Sequence, residues 1–209
     1  MSITVLWLGH ASFKIVAADV NIYIDPWKLK DAPHDATLVL VSHSHYDHYS
    51  AEDFAKVAAA DTMLIASADV VAQHGSGRAL RSGDTLDFVG GQVTAVAAYN
   101  PNKQFHPQAN NWVGFIVEID GKRIYYAGDT DLTPEMQALT NIDLALLPVG
   151  GTYTMNAEEA ADAVNEFKPA QALPYHWGDI VGENSDAEKF RNIALCQVTV
   201  LTPDQSMKL

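Results

Sequence analysis

Between residues 43 and 48 the chain reads His-Ser-His-Tyr-Asp-His. Three imidazoles and a carboxylate within six positions supply the borderline nitrogen and oxygen donors that zinc takes. The bland alternative is a polar surface loop. The setting argues against it: the cluster begins where an apolar run, residues 38–41, ends, and stops where Ser50 and Asp53 carry the spacing of a helix cap. A loop pinned at both ends suits a rigidly held site. Four further places offer donors: Asp25 after the run Asn-Ile-Tyr-Ile, His106 in a long polar loop, Asp129 in Gly-Asp-Thr-Asp, and His176 in Pro-Tyr-His-Trp. Taken singly, each has an ordinary explanation, because an Asp after a strand is a common turn former and a His beside Trp177 is commonly a packed aromatic. With the cluster present, convergence on one rim is the more economical reading. The chemistry such donors support is metal-assisted hydrolysis, in which a bound cation brings the pKa of its water toward neutrality and polarises the oxygen under attack.

These residues must be positioned by strands and helices, and the hydrophobic pattern supplies both. Residues 3–8 form a mostly apolar run, and residues 20–25 alternate with the period of a half-buried strand. Residues 38–41 are continuously apolar, as in a strand buried on both faces. A helix is expected over residues 51–60 and a strand over 62–66, the strand–loop–helix–strand grammar of an α/β or α+β domain. Hairpins are expected at 86–89 with 93–97, around Gly90-Gly91, and at 113–119 with 123–127, around Asp120-Gly121. Between them, residues 98–112 form a polar loop with two prolines, and long loops in compact domains are disproportionately functional. Asn156 with Glu159 and Ser185 with Glu188 mark two later helices, the first ended by Pro169, among short strands at 144–147, 172–173 and 198–201.

At 209 residues, 48% hydrophobic and 19% charged, the chain fits one globular domain over residues 1–209. No apolar run reaches the ~20 residues of a membrane span. The start lacks a basic, cleavable leader, and the single cysteine, Cys196, suits a reducing compartment, so the expected address is the cytoplasm, with no membrane partner. A formal charge of −13 works against nonspecific binding of nucleic acid. It leaves room for a small-molecule substrate, an anionic one included, because bound cations add local positive charge.

The motif order Asp25-Pro26, His43-x-His45-x-Asp47-His48, His106, Gly128-Asp129-Thr130-Asp131 and His176 resembles the metallo-β-lactamase superfamily. The opening Leu8-Gly9-His10-Ala11-Ser12-Phe13 further resembles a branch of small metal-dependent hydrolases related to the L-ascorbate-6-phosphate lactonases. The similarity runs from residue 8 to about residue 180. It implies a four-layer αβ/βα sandwich, two mixed sheets flanked by helices, with two divalent metal ions in a cleft at one edge. Zinc is expected; manganese and iron(II) suit the same donors. By this resemblance His43, His45 and His106 hold the first ion, Asp47, His48 and His176 the second, and Asp129 bridges both. Asp25 orients a ligand histidine, and His10 lies near the site, toward metal or substrate. In many superfamily members the third histidine follows a strand directly. Here Tyr99-Asn100 stands at that point and His106 comes six residues later, so Asn100 or water is an alternative donor.

Asp47, besides its expected place at the second ion, is a candidate to orient the nucleophile or accept a proton. Lys103 is a candidate contact for an anionic substrate group, against the alternative of a solvated lysine, and Trp112 and Trp177 either line a pocket or pack. Three functions compete: a hydrolase of small lactones, esters or phosphoesters, which the intact donor set favours; a nucleic-acid phosphodiesterase; and a non-catalytic metal-binding scaffold or sensor. The related lactonases suggest a homo-oligomer, although no heptad pattern supports one.

Overall fold

Alternation builds the first sheet. The computed structural model describes residues 2–209. In β1 (Ile3–Gly9) Ile3, Val5 and Trp7 are buried while Thr4, Leu6 and Leu8 are half-buried, so one face meets a core. β2 (Ser12–Ala17) and β3 (Val20–Ile24) continue it antiparallel, and β4 (Ala36–Val41), β5 (Ala58–Ala66) and β6 (Arg78–Ala79) add in parallel. The second sheet repeats the plan. β7 (Thr85–Phe88), β8 (Gly91–Ala97), β9 (Val113–Ile119) and β10 (Lys122–Tyr126) are antiparallel neighbours, followed in parallel by β11 (Leu144–Pro148), β12 (Gln171–Tyr175) and β13 (Gln197–Val198). β14 (Ser206–Lys208) returns to β1, giving two seven-stranded sheets ordered β14-β1-β2-β3-β4-β5-β6 and β13-β12-β11-β10-β9-β8-β7.

Parallel neighbours need crossovers, and helices supply most of them. α1 (Ala51–Val57) and α2 (Ala68–His74) follow β4 and β5, α3 (Pro134–Gln137) follows β10, and α4 (Ala157–Phe167) and α5 (Asn184–Ile193) follow β11 and β12. The inner faces of both sheets share one apolar core, which Val164 and Phe167 of α4 and Phe190 of α5 extend onto the outer side of the second sheet. A smaller core of Val39, Val41, Leu64, Val57 and Val70 lies between the first sheet and α1 and α2. The result is the expected architecture of two mixed sheets flanked by helices.

The expected caps at Ser50 and Asn156 form: Ser50 Oγ accepts from Asp53 N–H at 3.1 Å, and Asn156 and Glu159 bond each other's backbone N–H at 2.9 Å. The helix expected over 51–60 stops at Val57, because Ala58 is extended (ψ 131°) and pairs with Ala36. Sheet pairing overrides the helical preference of the alanines there. α5 is capped at Glu183, two residues before the expected Ser185, with Asp186 accepting from Glu183 N–H at 2.8 Å and Ser185 inside the helix. The strand expected at 198–201 pairs only at Gln197–Val198. The hydrophobic pattern does not signal β2, β6, β14, α2 or α3.

Candidate metal centre

The candidate donors collect at one edge, just past strand ends or in turns beside them. Asp25 directly follows β3, His43 to His48 follow β4, Asp129 follows β10 and His176 follows β12, while His10 sits in the β1–β2 turn and His106 between β8 and β9. This is the end of parallel strands at which α/β sheets generally place ligands. His10, Asp25, His106 and His176 all adopt positive φ (48°, 44°, 54° and 62°). Non-glycine residues rarely do so, and such strain persists only where the surroundings enforce it. Here hydrogen bonds enforce it: Asp25 N–H to Leu40 O at 2.9 Å, His176 N–H to His10 O at 3.1 Å, and Asn100 N–H to His106 O at 2.9 Å. Gly150 lets the chain close behind His176, since a Cβ there would lie 2.3 Å from the His176 carbonyl oxygen.

The side chains form two groups with Asp129 between them. His43 Nε2 and His106 Nε2 stand 3.1 Å and 3.2 Å from His45 Nδ1. Asp129 Oδ2 lies 3.2 Å from His106 Nε2 and 3.3 Å from His176 Nε2, and Asp129 Oδ1 lies 3.2 Å from His48 Nε2. Asp47 Oδ2 completes the second group at 3.8 Å from His48 Nε2 and 3.9 Å from His176 Nε2, with His10 Nε2 3.0 Å from the same oxygen; His10, Asp47, His48 and His176 each bring a donor atom within 4.8 Å of the others.

Outer partners fix which way the ring protons point. Asp25 accepts from Ser42 N–H (2.7 Å), the Ser42 hydroxyl (2.5 Å), the Tyr126 hydroxyl (2.6 Å) and His48 Nδ1–H (2.7 Å). The Ser42 oxygen, its own proton given to Asp25, accepts from His43 Nδ1–H at 2.9 Å. His106 Nδ1–H donates to the Tyr153 carbonyl at 3.1 Å. In His43 and His106 the inward Nε2 therefore carries a lone pair, while His48 turns its Nε2 toward Asp129 Oδ1. A proton on His45 Nδ1 can serve only one of the two lone pairs facing it, whereas a cation serves all three nitrogens.

His48 Nε2, His176 Nε2 and Asp129 Oδ1 are buried without a hydrogen-bond partner, a state that costs about 1–3 kcal/mol per group when nothing compensates it. A tetrahedral ion with nitrogen bonds of about 2.0–2.1 Å spaces its donors about 3.3 Å apart. The donor types, their spacing and the stranded atoms fit divalent cations.

Charge balance follows from burial and pairing. Burial and the neighbouring His48 push His43 well below the usual imidazole range, and burial with His106 lowers His45. For His48 burial acts downward too, but Asp129 and Asp25 outweigh it and raise the ring well above its ordinary value. Burial would raise Asp129, yet His176 and His48 hold it well below the carboxylate range. Asp47 is likewise raised by burial but brought down to about 2 by the His10 hydrogen bond and His48.

Other expected site residues fall elsewhere. Asn100 does not take the place of His106 among the inward donors but stands behind it, its amide 3.3 Å from His106 Nδ1 and donating to Tyr153 O at 2.7 Å and Phe105 O at 3.0 Å, which shapes the loop that carries His106. Lys103 does not face the cavity, because its ammonium is bound by Asp131 at 2.5 Å and Thr154 O at 2.7 Å. Trp177 packs 4.9 Å from Trp7 in the core. Trp112 backs the site, with its ring 4.6 Å from His43 and 4.7 Å from His45.

Asp69 escaped sequence reasoning. It accepts from Ser44 Oγ at 2.6 Å, Ser67 Oγ at 2.6 Å, Trp112 Nε1–H at 2.7 Å and Val70 N–H at 3.0 Å, tying the histidine loop to the tryptophan behind it. The only signal was Ser-Ala-Asp after a buried strand. A cavity of about 260 Å³ opens above the donors, floored by His45, Asp47, His106 and Asp129 and walled by Tyr46, Phe105, Tyr153 and Ile180.

Comparison with known proteins agrees with this geometry. The profile of the beta-lactamase superfamily domain matches residues 4–176. A UPF0173 metal-dependent hydrolase of Pelotomaculum thermopropionicum is 32% identical, covering 98% of this chain and 99% of its own. One from Pyrococcus abyssi is 33% identical over 99% of this chain and 100% of its own. Among solved structures, Igni18, a metallo hydrolase of Ignicoccus hospitalis, superposes with a TM-score of 0.81 at 26% identity, covering 100% and 99% of the two chains. YhfI of Bacillus subtilis, a metallo-beta-lactamase fold protein, shares the fold at a TM-score of 0.79 and 14% identity, covering 100% and 99%. The chain belongs to the metallo-β-lactamase superfamily and, within it, to the UPF0173 metal-dependent hydrolases.

Proposed function

We propose that this hydrolase uses two divalent cations, zinc by the character of its donors, to cleave small-molecule esters, lactones or phosphoesters. The observation that carries the reading is Asp129, buried between two histidine groups with one oxygen 3.2–3.3 Å from a ring nitrogen of each. His43, His45 and His106 would hold one ion, Asp47, His48 and His176 the other, and Asp129 would bridge them. When bound, the cations supply a water of near-neutral pKa and Lewis acidity toward the oxygen under attack. The chain's own residues do the rest. Asp25 fixes His48 directly and His43 through Ser42, so both turn Nε2 inward. Asp47, ionised across the physiological range, orients a water at the cavity floor, and His10 bonds that carboxylate at 3.0 Å. A pKa of about 2 makes Asp47 a weak base, which favours orientation over proton acceptance. Lactones enter the class through the sequence resemblance alone. The small cavity and the −13 charge favour a small substrate over nucleic acid, and the lone Cys196 suits a cytoplasmic setting.

The test is elemental analysis of protein purified without chelator and again after zinc or manganese loading, alongside an ester, lactone and phosphodiester panel. About two ions per chain, falling toward one in Asp129→Asn, supports the reading. No metal after loading overturns it, as does an Asp47→Ala protein with full metal content and full activity for the role given to Asp47.

A further inference from the structure

The cavity walls bear on what the substrate carries away from its reacting bond. Tyr46, Phe105, Tyr153 and Ile180 form the walls, and among the described residues no lysine or arginine lines the cavity. Phe105 and Tyr153 meet edge to face, with ring centroids 4.7 Å apart. Tyr46 is 68% exposed and Phe105 46%, and both are among the few large apolar side chains this open to solvent. Single exposed apolar residues are ordinary, but two on one concave wall above polar donors describe a binding surface.

Two lysines on segments that adjoin these walls, Lys103 near Phe105 and Lys28 beside Trp27, whose ring stands 6.0 Å from Tyr46, are already paired. Lys103 is bound by Asp131 and Thr154 O, and Lys28 reaches Asp179, the residue before Ile180, at 2.8 Å. An anionic tail seated on these walls would shed water against aromatic rings without meeting a lysine or arginine side chain there. At about 260 Å³ the cavity falls just below the volume of drug-sized sites, so the occupant is small.

We infer that the non-reacting portion of the substrate is uncharged and apolar, an aliphatic or aromatic group seated between Tyr46, Phe105, Tyr153 and Ile180. This rests on the hydrolase reading of the same site. For an ester, the oxygen of water bonds to the acyl carbon and the acyl–oxygen bond to the alcohol breaks. One proton of the water goes to the departing oxygen or to solvent, and the other is released as the acid ionises.

The test compares 4-nitrophenyl hexanoate with the ω-carboxylate ester 4-nitrophenyl hydrogen adipate, which share the reacting bond and leaving group and differ in distal charge. The zinc-loaded enzyme should prefer the hexanoate by at least about tenfold in kcat/KM, and Ile180→Lys should shift that ratio toward the adipate by at least about fivefold with metal content unchanged. Equal use of both esters, or a ratio that Ile180→Lys leaves alone, overturns the inference. A second measurement needs no turnover: fluorescence titration with the neutral naphthyl ketone prodan, whose affinity should fall about tenfold in Phe105→Ser. Binding of prodan lost in that variant, with neither ester cleaved, keeps the apolar pocket and discards the hydrolase reading. Absent binding, or binding indifferent to Phe105→Ser, removes the pocket itself.

Discussion

Replacing Asp69 by alanine tests whether the histidine loop is held by its outer partners. The carboxylate accepts from Ser44, Ser67, Trp112 and the Val70 backbone at 2.6–3.0 Å. Without it the serine hydroxyls can rotate to other acceptors, but the Trp112 N–H cannot, because the indole is packed on His43 and His45. A stranded buried donor costs about 1–3 kcal/mol, and the lost charge-assisted bonds add to it, so a total of about 2–4 kcal/mol is expected. For a chain of this size that corresponds to a Tm lowered by roughly 5–15 °C. Ser44 lies between His43 and His45, so the loop should also hold metal more weakly, by about 10–100-fold as for other outer partners of metal ligands. Thermal unfolding of metal-free and zinc-loaded protein reads the first quantity, and zinc competition with a chromophoric chelator reads the second. Asp69→Ala with unchanged Tm and unchanged zinc affinity would refute the idea that this carboxylate positions the loop.

Chelation should lower Tm by roughly 8–16 °C, since an ion at a thousandfold its Kd adds about 4 kcal/mol; equal melting of stripped and loaded protein would speak against resident metal. Lys103→Met should cost about 1–2 kcal/mol and weaken zinc retention through the His106 loop, whereas a higher KM for anionic esters with unchanged stability would restore Lys103 to the substrate. Burial would raise the Asp53 carboxyl, but Lys56, Ser50 and the Leu29 N–H hold it below its ordinary value. Its stabilising contribution is therefore present above about pH 4 and lost as pH falls through the folded pKa. Acid unfolding curves of the parent and Asp53→Asn should converge toward low pH; a gap that widens there would contradict the sign.

The candidate donors were legible because each occupies a recognisable punctuation mark: His43 to His48 after an apolar run, Asp25 after an alternating one, Asp129 beside a glycine. Their outer partners were not. Asp69 opens a seven-residue helix too short to show a periodicity, and it meets Ser44 from 25 positions away. His10 meets Asp47 across 37 positions, and neither residue signals the other locally. Lys103 misled for a similar reason: a lysine in a polar loop looks solvated until the fold delivers Asp131 and the Thr154 carbonyl to it. Residues 58–60 read as helix because alanine propensity is local and the pairing of Ala58 with Ala36 is not.

Sharing the donors between two sheets has a consequence for the order of events during synthesis. His43, His45, Asp47 and His48 follow a strand of the first sheet, while Asp129 and His176 follow strands of the second. His176 leaves the ribosome 133 positions after His43, a delay of about 7–27 s at ordinary elongation rates. His106 and Asp129 emerge within that interval, so the donors assigned to the first ion are all synthesised before the second group gains His176. The second group closes only when β12 pairs with β11 and carries His176 to Asp129. The two halves of the centre therefore become complete at different stages of synthesis.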